Sequence, residues 1–134
     1  VMQQRYLGAP AAYLPGSFGY QRYHDSEMVA FLAAIGPEGP PVMVADAPPV
    51  GAGSWALSGI IDPARAAGWN EQVERWVAHH PQVHLLRFAD ELVAFEAAHG
   101  SLREDGLHPE VGPLAEMVRA DVLPQVRALA EANG

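Results

Sequence analysis

Four apolar residues, Val42-Met43-Val44-Ala45, run without a polar break between Pro40-Pro41 and Pro48-Pro49. An uninterrupted apolar run has no side to show to water, so it suits a strand buried on both faces of a parallel sheet, with prolines marking where pairing stops. Asp46 then falls at the carboxyl end of that strand. The stretch that follows to Ile61 carries Pro48-Pro49, Gly51, Gly53 and Gly59 and reads as a long loop. In compact domains a loop of that length more often serves function than simple connection.

The rest of the chain supplies helices around such a sheet. Residues 6–23, rich in Gly, Pro and aromatics, read as an ordered loop. Asp25 or Ser26 is positioned to cap a helix in which Met28, Leu32 and Ile35 share a face, with Gly36 and Pro37 ending it. Asp62 as cap, Pro63 at the first helical position, and Trp69, Val73, Trp76, Val77 and His80 on one stripe predict a second helix, stopped by Pro81. A second strand is expected over residues 83–88, then a short helix from Asp90 to His99. Leu114, Met117, Val118, Val122, Val126 and Leu129 share the face of a terminal helix, with Pro124 inside it removing a backbone hydrogen bond and kinking or splitting it. Alternating helices and buried strands imply an α/β layered sheet, although two strands are too few for a sheet that stands alone. The sequence contains no internal repeat and no low-complexity tract.

Charge and composition exclude several partners. The 134 residues carry a formal net charge of −8, and all eight basic residues are arginines spread along the chain. No basic face is available to neutralise phosphates, so neither nucleic acid nor an anionic membrane surface is an expected partner. No apolar run approaches the roughly 20 residues needed to span a bilayer, so direct membrane insertion by this segment is not expected. The absence of cysteine removes disulfides, thiol catalysis and Cys-based zinc sites, and leaves the compartment open. The chain starts at Val1 with no charged-then-apolar leader, and is expected to be part of a longer polypeptide.

The motif that carries chemistry is Asp105-Gly106-Leu107-His108-Pro109. A carboxylate and an imidazole three residues apart, on a turn held by Gly and closed by Pro, are the acid and base of a nucleophilic triad. The aspartate accepts a hydrogen bond from Nδ1 of the histidine, which fixes the tautomer and directs Nε2 toward a hydroxyl. The alternative is plain turn chemistry, in which Asp105-Gly106 makes the turn and His108 is exposed beside a helix start. In open α/β sheets ligands bind outside the carboxyl ends of the strands, and residues 48–58 leave from that rim, so this loop is expected to converge with Asp105 and His108.

No hydroxyl has a comparable signal. Ser54 and Ser58 lie in the rim loop but not on a strand-to-helix elbow with the glycine spacing that exposes a nucleophile. Ser54 and Trp55 are instead candidates for contacting substrate, Trp55 by closing over it; Ser26 and Ser101 read as a helix cap and a loop residue. Trp69 and Trp76 fall at helical spacing and belong to a core. His79, His80, His84 and His99 match no zinc spacing and read as histidines near element ends, so no metal is expected.

A buried strand ending in Ala45-Asp46-Ala47-Pro48-Pro49, a helix bearing Asn70, a further strand, then DGLHP, Gly112 and an amphipathic terminal helix resemble the carboxyl-terminal half of SGNH (GDSL-type) hydrolases. Arg5-Tyr6-Leu7-Gly8 and the Pro48-Pro49 loop look most like the SGNH domains appended to membrane acyltransferases. The resemblance implies part of a flavodoxin-like three-layer α/β/α fold with parallel strands. It also implies an esterase or acyl-transfer activity on O-acyl esters, carbohydrate esters foremost, with no metal or organic cofactor. His108 would be the general base and Asp105 its partner. The family's nucleophilic Ser and its oxyanion Gly and Asn lie in blocks that match nothing here, which implies a missing amino-terminal part of the domain. The family often has an acidic residue near the end of the second strand, where this sequence has Arg87. An extracytoplasmic location follows if the parent is a membrane acyltransferase. The competing reading is a noncatalytic α/β interaction module or a degenerate relative, binding a partner through the rim loop and an unpaired edge of the 42–45 strand.

Overall fold

A computed structural model describes residues 17–51, 53 and 64–133. The first element among the described residues is α1, Phe18–Ile35, so residues 18–23 of the expected loop are helical, while residues 6–16 lie outside the described residues. Ser17, not Asp25 or Ser26, is the cap: its Oγ accepts the Tyr20 N–H at 3.2 Å. Tyr20, His24, Met28 and Leu32 are four residues apart, so they form one ridge along the helix, and that ridge faces inward. Ser26, inside the helix, donates back to the Tyr23 carbonyl at 2.7 Å. Gly36, at φ 78°, ends α1 as expected, because only glycine takes that left-handed conformation without strain.

β1, Val42–Ala45, runs parallel to β2, Val83–Leu86, with Val42 opposite Val83 and Ala45 opposite Leu86. Between them α2, Ala64–His79, makes the crossover that parallel pairing requires. The molecule is thus mixed α/β, mostly helical, with a two-stranded parallel sheet among the described residues. β1 is half-buried at all four positions, not buried on both faces as its composition suggests, since only one strand flanks it among the described residues. The expected cap Asp62 and first-turn Pro63 of α2 lie outside the described residues. Trp76 and Val73 are buried, but Val77 turns outward and His80 lies just past the helix.

β2 stops at Leu86, two residues short of expectation, because Phe88 already opens α3, Phe88–His99. Arg87 precedes that helix without a side-chain cap. Asp46 supplies one from across the sheet: its Oδ1 accepts the Ala89 N–H at 2.6 Å. The terminal helical run has three parts, α4 (Val111–Met117), a π-helical turn (Val118–Val122) and α5 (Leu123–Ala132). Pro124 has no N–H to give, and the wider turn just before it absorbs the disruption. One extra residue in that turn rotates everything beyond it. Val126 therefore faces solvent instead of the core, and Gln125 takes the inward position, donating to Glu91 Oε1 at 3.0 Å and accepting from the Arg87 N–H at 3.3 Å.

Two apolar clusters hold these pieces. Val73, Trp76 and Val83 are packed by Met28, Leu32, Val44, Trp69 and Leu85, joining α1 and α2 to the sheet. Leu92, Leu102, Met117 and Val122 are packed by Leu86, Phe88, Phe95, Leu114 and Val118, joining α3 to the terminal helices. Between α1 and α2 the Asp25 carboxylate accepts from both Gln72 Nε2 and, at 2.8 Å, Trp76 Nε1. No described helix is long and apolar enough to cross a membrane.

Candidate active site

The chain leaving β1 is held by both side chains and main chain of other elements. The Trp69 indole N–H donates to the Ala45 carbonyl at 3.0 Å. Asn70 then brackets Ala47, accepting its N–H at 2.7 Å and donating to its carbonyl at 3.0 Å. Further along, Arg103 Nη1 donates to the Pro49 carbonyl at 2.6 Å, and the Gly51 N–H donates to the Gly106 carbonyl at 2.8 Å. Gly53 lies so close to the Asp105 main chain that a Cβ there would collide with it. The expected convergence of the rim loop with the Asp105 turn is therefore present as far as Gly53. Ser54, Trp55 and Ser58 lie outside the described residues.

The turn itself is built from local chemistry. The Gly106 N–H closes back on the Arg103 carbonyl at 2.9 Å, and Gly106 sits at φ 85°, a conformation that favours glycine. Asp105 then folds its side chain over the following main chain: Oδ1 accepts the N–H groups of Leu107 and His108, both at 2.8 Å. Its other oxygen, Oδ2, lies 2.7 Å from His108 Nδ1. Asp105 and His108 are thus brought together in the geometry the motif implied. The Asp105 side chain is 29% exposed and that of His108 is 69% exposed. The hydrogen bond from His108, reinforced by the two backbone N–H groups, holds the Asp105 carboxyl well below the usual carboxylate range. An ionised Asp105, 2.7 Å from Nδ1, keeps the imidazole proton on that nitrogen and leaves Nε2 as the proton acceptor.

Beneath the turn lies a pair of residues that sequence reasoning missed. Arg103 is 3% exposed. Its Nε donates to Glu96 Oε1 at 3.0 Å and its Nη2 to Glu96 Oε2 at 2.6 Å, a two-pronged pairing. Glu96 also accepts the Leu102 N–H at 3.1 Å. The Arg103 hydrogen bond holds the Glu96 carboxyl below its ordinary range, against the opposing effect of burial. Seven residues separate these partners and 54 separate Arg103 from Pro49, so no local pattern announces them; the only hint is an arginine standing between Leu102 and the turn.

A cleft of about 410 Å3 opens beside the strand ends, lined by Asp46, Pro49, Asn70, Leu85, Arg87 and Asp90 among others; neither Asp105 nor His108 borders it. Arg87 pairs there with Asp90 at 3.3 Å on the surface. The other histidines do not cluster: His79 Nδ1 lies 2.7 Å from the Arg75 carbonyl, and His99 packs on Phe95. Among the described residues no group of three His, Cys, Asp or Glu side chains is arranged to hold a metal ion. No family model matches the chain, no curated protein matches it, and no solved structure matches it.

Proposed function

We propose that Asp105 and His108 are the acid and base of a Ser-His-Asp triad, in the carboxyl-terminal half of an SGNH-type esterase or acyl-transfer domain. The observation that carries this reading is the 2.7 Å contact of Asp105 Oδ2 with His108 Nδ1, on a turn whose two backbone N–H groups occupy the other carboxylate oxygen. Its position supports the same reading, since the turn is strapped to the loop leaving the carboxyl end of a parallel strand. Helices packed against the β1–β2 pair suit a flavodoxin-like three-layer sheet, with further strands contributed by polypeptide preceding this segment.

In this mechanism a serine hydroxyl attacks the carbonyl of an O-acyl ester and His108 Nε2 takes its proton. The tetrahedral intermediate collapses, the imidazolium returns the proton to the leaving alkoxide, and water or an acceptor hydroxyl then attacks the acyl-serine with His108 again as base. Asp105 remains ionised throughout and stabilises the imidazolium. The nucleophile and oxyanion donors come from the blocks that the family places before this segment, and O-acylated carbohydrate is the substrate class the resemblance favours.

Two assays with an aryl acetate test this. These 134 residues alone are expected to hydrolyse it at the background rate, whereas a protein that includes the preceding blocks is expected to turn it over. In that longer protein His108→Ala is expected to lower kcat by about 10^4-fold. Inhibitor-sensitive turnover by the 134 residues, or an unchanged rate in His108→Ala, would contradict the assignment. A second reading, a binding module that recruits a strand to the outer edge of β1, is favoured by the lack of a second neighbour for β1 among the described residues. It calls for no effect of His108→Ala on partner binding and no esterase activity in the longer protein.

A further inference from the structure

The end of α3, the loop after β1 and the turn that carries Asp105 meet at Arg103. Its fork grips Glu96 near the end of α3 through both carboxylate oxygens, and its remaining arm reaches the Pro49 carbonyl in the loop after β1. The main chain of Arg103 is meanwhile the first residue of the turn that carries the dyad, its carbonyl accepting the Gly106 N–H at 2.9 Å. The circuit closes through the Gly51 N–H, which donates to the Gly106 carbonyl at 2.8 Å. A tilt of this one side chain therefore shifts the loop and the turn together, and Gly106, the residue between Asp105 and the backbone donors it accepts, is bonded on both sides.

An ion pair in this location is unusual for a purely packing role. Taking a guanidinium and a carboxylate out of water is costly before their attraction offsets it, and an apolar pair of similar volume would avoid that cost. What an apolar pair cannot do is hold a backbone carbonyl at a fixed distance. A planar fork with directed donors does that, and lysine, a point charge on a flexible stem, does not. Gly53 fits the same interpretation: a Cβ there would collide with the Asp105 main chain.

We propose that Arg103, braced by Glu96, is a positioning residue for the Asp105–His108 pair, fixing the loop after β1 as a wall against Asp105 so that His108 is held in its Nδ1–H tautomer. This rests on the triad reading above, and the experiment separates the two. In the full chain, ring-nitrogen chemical shifts of His108 report its tautomer and hydrogen exchange of the Gly51 amide reports the loop. In Glu96→Gln/Arg103→Met, which leaves no unpaired buried charge and keeps an acceptor for the Leu102 N–H, Gly51 exchange is expected to accelerate at least tenfold and the His108 tautomers to mix. The amides of Val73 and Leu92 should exchange at the original rate, which a general loss of stability would not allow. Arg103→Lys, which retains the charge but cannot bridge both partners, is expected to move both readouts in the same direction by less, and serves if the double variant does not fold. Unchanged Gly51 exchange and an unchanged tautomer in the variants would overturn the positioning role. Asp105→Asn is expected to mix the tautomers with Arg103 intact; if it leaves them as they were, the dyad reading fails independently of the Arg103 role.

Discussion

At the scale of single residues, the dyad is an unusually local object. Asp105 binds His108 because both lie on one tight turn, and the turn exists because Gly106 takes a left-handed conformation and the Asp105 side chain caps the amides after it. All of that chemistry lies within four consecutive positions, so the motif was legible in the sequence down to its hydrogen bond. The Arg103 contacts were not, because their partners are fixed only when α3 and the loop after β1 are both in place. Gly106→Ala is expected to destabilise the chain by about 1–2 kcal/mol, the cost of a Cβ in left-handed backbone, measured as a shift in the urea midpoint. Gly112→Ala is the control: nothing lies within 4 Å of its would-be Cβ, and a change near zero or slightly stabilising is expected.

At the scale of elements, sequence patterns located helices and strands but misplaced their ends where distant groups or extra residues intervene. α1 starts at Phe18 because the Tyr20–His24–Met28–Leu32 ridge extends two turns before the first aliphatic residue, and aromatic or imidazole rings can fill a ridge as aliphatics do. Asp25, one of the two caps the sequence offered alongside Ser26, is instead the acceptor that joins α1 to α2 through Gln72 and Trp76. The outward turn of Val126 follows from the π-helical turn ahead of Pro124; the proline implied a kink or a split there, but a regular 3.6-residue period does not contain the phase shift. Because Gln72 is fully buried and Trp76 nearly so, Asp25→Ala strands two donors away from water. A loss of about 1–3 kcal/mol is expected, again from urea unfolding, and a loss no larger than that of a surface Asp→Ala change would contradict the role given to Asp25.

Across the whole molecule, two apolar clusters on either side of a small sheet share the load, and buried ionisable groups make their packing pH-dependent. His24 is buried beside Tyr20, Tyr23 and Trp69; burial lowers its pKa from the ordinary 6.5, against the nearby Glu27 and Asp25. The unfolded chain then takes up the proton first as pH falls, so stability is expected to drop from about pH 6.5 downward until the lowered folded value is passed, and to level off below it. Urea midpoints measured through that range should fall in the native chain, with the slope removed in His24→Phe; a native curve that is flat, or that rises toward acid, would contradict the burial of a neutral imidazole. Glu96 adds a separate loss at lower pH, as acid reaches its depressed carboxyl and releases Arg103. The mixed α/β class and the parallel order of β1 and β2 were readable from the chain, since apolar runs and prolines encode them, whereas the serine that the proposed triad requires matches no pattern in these 134 residues. The direct measurement is therefore reaction with a fluorophosphonate, which labels only serines activated by a base, of a protein that includes the preceding blocks the proposal calls for, followed by mass spectrometry of the adduct. A single labelled serine in the preceding blocks, with labelling slowed by about 10^4-fold in His108→Ala, is the expected result. No labelled serine, or labelling that ignores the loss of His108, would contradict the assignment of Asp105 and His108 to a triad.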